Sequence, residues 1–316
     1  MRTNKKILKK KKTKIQLIKK NNFKNYLSMS NKSILDNIKK LRELTGVGFK
    51  DCKAALEEND GEIEKSIEFL RKKGIAKASK KMSRTASEGL ALITEEKGEI
   101  AVIEINSETD FVAKNQDFIN FCKELSSLNF KNKGDLEKLN NSKMVSGLLV
   151  KDSLINLISK IGEKITIRRS HFFNNSSGIN FFYVHSAIEK NIGKIVSIIK
   201  LENVEESTNR DLGNKLAMHI AASNPLAIDR DGIDKKIVTK ELEIIKAEII
   251  NSGKPKELAE KISKGKISKF LNDNSLLNQL WIMDPKKTVK DILKENSKNK
   301  EIKVLDYIRY KVGEGV

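Results

Sequence analysis

Proline is scarce in this chain, with three in 316 residues, and so is cysteine, with two. Cys52 and Cys122 are far apart and no Cys-x-x-Cys occurs, so neither a disulfide framework nor a cysteine metal site is implied. Both fall at apolar positions of helical patterns, where a buried free thiol is expected. Aromatic residues make up only 5%, too few for a platform that stacks unpaired bases. No apolar run approaches the roughly 18 residues of a helical membrane span. The Gly-Lys pairs at Gly193, Gly253 and Gly265 lack the earlier glycine of a phosphate loop. Gly-x-Ser-x-Gly and His-Glu-x-x-His are absent. The three histidines, His171, His185 and His219, are dispersed without metal-ligand spacing. These absences argue against an enzyme, a cofactor, a metal site and a membrane protein.

Acid is also missing where base is dense. Residues 1–35 hold Arg2 and eleven lysines, and the first acid is Asp36. Without those twelve cations the formal charge falls from +20 to +8, so most of the basic excess is local. Ile7, Leu8, Ile15, Leu17, Ile18 and Leu27 are interspersed, with no continuous apolar stretch of the secretory type. A basic, acid-free, mildly amphipathic N-terminus suggests an organellar leader over 1–32, with a mitochondrial matrix destination as the simpler inference and a plastid-type organelle as the alternative. A solvated basic arm that touches nucleic acid is the competing reading. Because the excess lies mostly in this segment, no direct nucleic-acid binding is expected of the rest.

Beyond the basic segment, apolar residues recur with clear periods. Residues 33–85 read as a three-helix module. Ser33 is a candidate cap, Ile34, Ile38, Leu41 and Leu44 form one stripe, and Phe49, Cys52 and Leu56 form a second. Ile63, Ile67 and Leu70 form a third, expected to end before Gly74. Lys77 to Arg84 then reads as a basic linker. Residues 86–204 read as an α+β core. Gly89–Thr94 and Glu99–Asn106 make a hairpin about Lys97-Gly98, the second strand alternating in hydrophobicity. A helix over Leu149–Ile161 precedes strand-like runs at 164–173, 180–188 and 194–201. The segments beginning at Gly98 and Gly193 echo one another, which suggests two related α/β subdomains. Residues 205–316 read as a second core half. A helix covers 208–223, with His219 on its apolar face as a packed residue. A pair of helices over 235–273, split near 251–255, forms an antiparallel hairpin. A helix over 286–295 and a strand over 301–312 close the chain.

One run stands out among these elements. Thr109-Asp110-Phe111-Val112 sits where the strand ending near Asn106 hands over to a helix bearing Phe118, Phe121, Cys122 and Leu125. An acid beside a large aromatic at such a junction is placed to meet a partner.

The run Glu104–Lys114 resembles the signature of the elongation factor Ts family, the exchange factors for elongation factor Tu. Leu41-Arg42-Glu43-Leu44-Thr45-Gly46-Val47-Gly48-Phe49-Lys50-Asp51-Cys52-Lys53-Ala54-Ala55-Leu56 resembles the family's N-terminal signature, departing only at Ala54, where a polar residue is usual. Further matching stretches are 161–169, 217–223, 252–257 and 312–315, in family order. The resemblance implies a ubiquitin-associated-like N-terminal module, a two-part α/β core with antiparallel sheets, and an inserted coiled coil corresponding to the hairpin at 235–273. It implies elongation factor Tu as partner and guanine-nucleotide exchange as activity. By motif, Asp110 and Phe111 correspond to the pair that wedges between two helices of the partner's nucleotide-binding domain, near its Mg²⁺–nucleotide site. Lys53, Lys81, Ile161, Gly162 and His185 correspond to docking contacts. The chain ends just after Gly315, without the C-terminal helical module of typical bacterial members, so contacts of that module are not carried over.

Overall fold

A computed structural model describes residues 34–45, 47–251, 256–297 and 300–316. The expected leader at 1–32, the candidate cap Ser33, Gly46, residues 252–255, where the expected helix pair splits, and residues 298–299 lie outside the described residues. Helices α1 (34–45), α2 (Phe49–Glu58) and α3 (Ile63–Ser79) come first. Strands β1 (Glu88–Glu96) and β2 (Glu99–Ser107) are next, then α4 (Asp110–Ala113), α5 (Gln116–Lys131), α6 (Leu136–Asn140) and α7 (Val150–Ile161). After them come β3 (Ile165–Phe173), β4 (Ile179–His185), β5 (Ile192–Gly193), β6 (Ile195–Glu202) and α8 (Glu206–Ser223). The chain continues through α9 (Lys235–Asn251), α10 (Lys256–Asn274), β7 (Leu280–Trp281), β8 (Asp284–Thr288), α11 (Val289–Asn296) and β9 (Lys303–Lys311). This is the expected α+β class.

The chain divides into two compact units, one of residues up to Arg84 with Lys151–Lys164, the other of Thr85–Val150 with Ile165–Val316. In the first unit, α1, α2 and α3 close over Ile38, Leu41, Val47, Cys52, Ala55, Leu56 and Leu70. The stripes are narrower than their periodicity suggests. Ile34, Leu44 and Phe49, inward by spacing, are 43%, 53% and 46% exposed. Three short helices enclose too little volume to cover every apolar position. A second difference concerns Gly74, the expected end of α3. The helix runs through it to Ser79, so the first residues of the expected linker are helical. A Cβ at Gly74 would lie 3.4 Å from Ile155 of α7, so this glycine marks a close helix–helix approach rather than a stop. Arg71 and Asp152 pair across the same contact at 2.9 Å.

The second unit holds two antiparallel sheets, ordered β3-β2-β1-β5 and β4-β6-β9, and the small pair β7-β8. Ala91, Ile93, Ile100, Val102 and Phe173 of the first sheet meet Val196, Ile198 and Tyr310 of the second in one apolar layer. Since side chains alternate along a strand, the residues between them face outward to a helix. On the first sheet α5 covers that face, and on the second α8 packs on β4 and β6. Helix, sheet, sheet and helix thus form four layers, and β2 is buried on both faces rather than alternating. The succession β1-β2-α5-β3 is matched by β4-β6-α8-β9, which gives the sequence echo a topological counterpart.

The helix expected from residue 286 begins instead at Val289. Residues 284–288 pair as β8, and Thr288 with Asp291 forms a reciprocal capping box that fixes the start. Helices α9 and α10 pack together as the anticipated hairpin, with Ile245 and Ile249 buried. Its roots are joined: Leu276 N–H donates to Ala227 C=O and Leu277 N–H to Ile228 C=O, at 2.8 and 2.9 Å.

An acid–aromatic turn and a groove on the helical module

Strand β2 ends at Ser107, whose hydroxyl donates to Thr109 C=O at 3.0 Å and turns the chain sharply. Thr109 is extended and α4 then makes a single helical turn. Val112 and Ala113 are buried as its foot, while Phe111 projects with 77% of its surface exposed. Asn115 stops the turn and starts α5, its side chain accepting from the Asp117 and Phe118 N–H groups at 2.9 and 3.3 Å. Phe118 is fully buried in the layer beneath. The ring of Phe111 is thus held outward between two anchored segments. Asp110 pairs with Lys114 one turn on, at 2.7 Å, and this partner holds its carboxyl below the usual carboxylate range.

Glu104 is fully buried in the strand that leads to the turn. A bulge opposite Glu104 and Ile105 inserts Arg168 as an extra residue in β3. Two successive arginines can therefore reach the same acid, which a regular strand would forbid. Arg168 and Arg169 donate to the two Glu104 oxygens at 2.9 and 2.5 Å, and Gly313 N–H adds a third bond at 3.0 Å. Burial pushes the Glu104 carboxyl up, but the Gly313 amide and the two guanidinium groups outweigh it and leave it lowered. Gly313 has φ +76°, and a Cβ there would fall 1.9 Å from Ser87 C=O, so only glycine fits this clasp.

His185 lies exposed at the end of β4, in the same unit. The Tyr183 hydroxyl stands 3.1 Å from its Nδ1, and its carbonyl accepts from Lys194 N–H at 3.2 Å. His219, by contrast, is fully buried, stacked on Trp281 with Nε2 3.0 Å from Gln279 Oε1, and burial lowers its pKa. It is a packing residue, as its helical position suggests.

The other expected contacts belong to the first unit. Lys81 Nζ donates to Gly162 C=O, so these two meet directly. Gly162 comes just after the end of α7 in the left-handed region, with φ +91°, and Ile161 beside it is half-buried. Lys53 is exposed on α2, 3.7 Å from Glu57. It lines an open groove with Ile34, Leu35, Phe49 and Leu56. The apolar wall of this groove consists partly of residues whose spacing assigns them to the core; their excess over what three helices can enclose is the signal the sequence offers. Both cysteines are free and buried, and no metal-binding cluster of His, Cys, Asp or Glu occurs among the described residues.

The class of protein these features belong to is the translation elongation factors: a family model described as elongation factor TS matches residues 108–314. Elongation factor Ts of Clostridium kluyveri is 41% identical over 287 residues, which cover 88% of this chain and 92% of the relative. The proteins of that name from Maricaulis maris and Rickettsia felis are 38% and 40% identical, each over 88% of this chain and 91% of the relative. The chain belongs to the elongation factor Ts family. Membership makes it a nucleotide-exchange factor of translation elongation that performs no covalent chemistry, and it implies elongation factor Tu as partner.

Proposed function

We propose that this protein releases GDP from elongation factor Tu in an organelle by inserting the Asp110–Phe111 turn beside the partner's Mg²⁺–nucleotide site. The observation that carries the reading is Phe111, 77% exposed at the tip of a turn whose neighbouring residues are buried. Moving that ring into an apolar pocket supplies on the order of 1.5–3 kcal/mol. Asp110, ionised and held by one exposed lysine, can exchange that lysine for polar groups that order the Mg²⁺ site. A factor that binds the nucleotide-poor partner more tightly must weaken nucleotide binding by the same free energy. GTP binding then displaces the factor by the same reciprocity.

Lys53, Lys81, Ile161, Gly162 and His185 are assigned to docking. In this reading 33–85 is the docking module, 86–204 and 205–316 are the two core halves, and 235–273 is a coiled-coil insertion. The charge of Lys53 acts mainly on encounter and orientation. Release of labelled GDP tests both roles. Asp110→Ala with Phe111→Ala is expected to slow stimulated release at saturating factor by about 100-fold, the effect of losing ~2.7 kcal/mol of differential binding. Lys53→Ala should slow association at low salt and matter little at high salt. Undiminished release by the double variant would remove the wedge assignment.

The organellar setting rests on residues 1–35, with twelve cations and no acid. Fusing residues 1–32 to a fluorescent reporter should send it to the mitochondrial matrix; a reporter that stays in the cytosol rejects this destination, and one in a plastid selects the alternative.

A further inference from the structure

Lys194 lies between β5 and β6, and the sequence gives it no functional role, yet its bonds reach the His185 strand end and the start of β1, opposite the end of the strand that leads into the acid–aromatic turn. Its main-chain N–H donates to His185 C=O at 3.2 Å, and its own carbonyl accepts from Val312 N–H at 2.9 Å. The backbone is therefore held from two sides. Its side chain, 34% exposed, reaches the other way and pairs with Glu88 at 2.7 Å. Glu88 opens β1 directly opposite Ser107 of β2. Ser107 in turn holds Thr109, and Asp110 is the first residue of α4, which packs on both strands. The Lys194 ammonium is thus tied, through Glu88, to the strand pair that carries the acid–aromatic turn; Lys114 is the main influence that favours the ionised Asp110 carboxylate, and the charge of Lys194 adds to it.

An ammonium on a flexible stem offers three donors and can serve two acids. Lys114, the direct partner of Asp110, is on the exposed side of the turn, with 70% of its side chain accessible. When Asp110 turns toward polar groups of a partner, that exposed pair is the one it gives up. Lys194, anchored by Glu88 and by its own backbone, is a second charge that favours the carboxylate. We propose that Lys194 is a positioning residue for nucleotide release: it joins the Asp110–Phe111 turn to the His185 strand end and holds the carboxylate in place while the turn is engaged. This inference rests on the exchange-site reading above and adds to it a residue from the junction of β5 and β6.

A double-mutant cycle in the full-length chain tests it. Asp110→Asn, Lys194→Met and the combination are assayed for the maximal rate of labelled GDP release from elongation factor Tu and for the half-saturating concentration. Lys194→Met is expected to lower the maximal rate about fivefold with little change in half-saturation, and to have no further effect in the Asp110→Asn background. Lys194→Arg should restore most of the rate, since it returns the charge. Repeating the cycle with Lys194→Gln keeps a folding defect of one variant from deciding the result. If Asp110→Asn slows release but the two substitutions multiply independently, the role of Lys194 is overturned and the exchange site stands. If Asp110→Asn leaves release unchanged, the exchange-site reading fails and the inference fails with it. An unchanged maximal rate for Lys194→Met overturns the inference alone.

Discussion

Two buried residues show how this protein handles polarity inside apolar layers. Glu104 stays charged because three donors surround it. His219 favours its neutral form, because burial against Trp281 outweighs the one bond to Gln279, which favours the charged form. The folded-state pKa of His219 is therefore below its unfolded value of about 6.5. The unfolded chain binds the extra proton first as pH falls. Stability from this group is complete above about 6.5 and is lost on descending toward the folded pKa. The urea midpoint should accordingly drop between pH 7.5 and 5.5, and His219→Gln should show a shallower drop; equal slopes for the two proteins would show that another group is responsible. The neutral, packed role of His219 is legible from its place on an apolar helix face. The burial of Glu104 is not, because it depends on a bulge that brings two arginines to one side.

At the scale of elements, α4 owes its placement to what flanks it. A helix of four residues has no stability of its own, since nucleation is unfavourable. It is held by Ser107 before it, by buried Val112 and Ala113 within it, and by the Asn115 cap after it. Asn115→Ala should cost about 1 kcal/mol of stability, measured by urea unfolding. It should also make the Phe111 segment exchange amide hydrogens faster; retained protection there would mean that Val112 and Ala113 alone fix the turn. The strands are legible because β-branched residues cluster between turn residues, as at Ile100, Val102, Ile103 and Ile105 beside Lys97-Gly98. The end of α3 is misleading in the sequence because glycine has two uses. At Gly74 it admits Ile155 of α7, a tertiary reason invisible to local pattern. The start of α11 is displaced for a similar reason, since residues 286–288 of the expected helix belong to the strand that pairs with β7. Of the candidate site, the acid–aromatic turn is legible in Asp110 and Phe111, whereas Lys194 is not, because its contacts come from segments far away in the chain.

On the scale of the whole molecule, the pair α9–α10 is closed at its roots by the Ala227–Leu276 and Ile228–Leu277 bonds. Its buried residues Ile245 and Ile249 belong to the hairpin itself. Replacing residues 236–272 with a short Gly-Ser linker should leave the melting temperature of the remainder within about 5 °C, followed by circular dichroism. A larger fall would show that the hairpin supports the core. The clasp at Glu104 has a consequence of another kind, for the order of synthesis. Its arginine donors lie 64 and 65 positions downstream, but its last donor, Gly313, is 209 positions away. A ribosome making this chain exposes β2 long before it exposes Gly313. Until residues 309–314 emerge, the central acid of the first sheet lacks one of its bonds, and a strand made early waits for a distant segment to seal it. A factor that serves elongation thus depends, for the closing of its own interior, on a long further stretch of its own elongation.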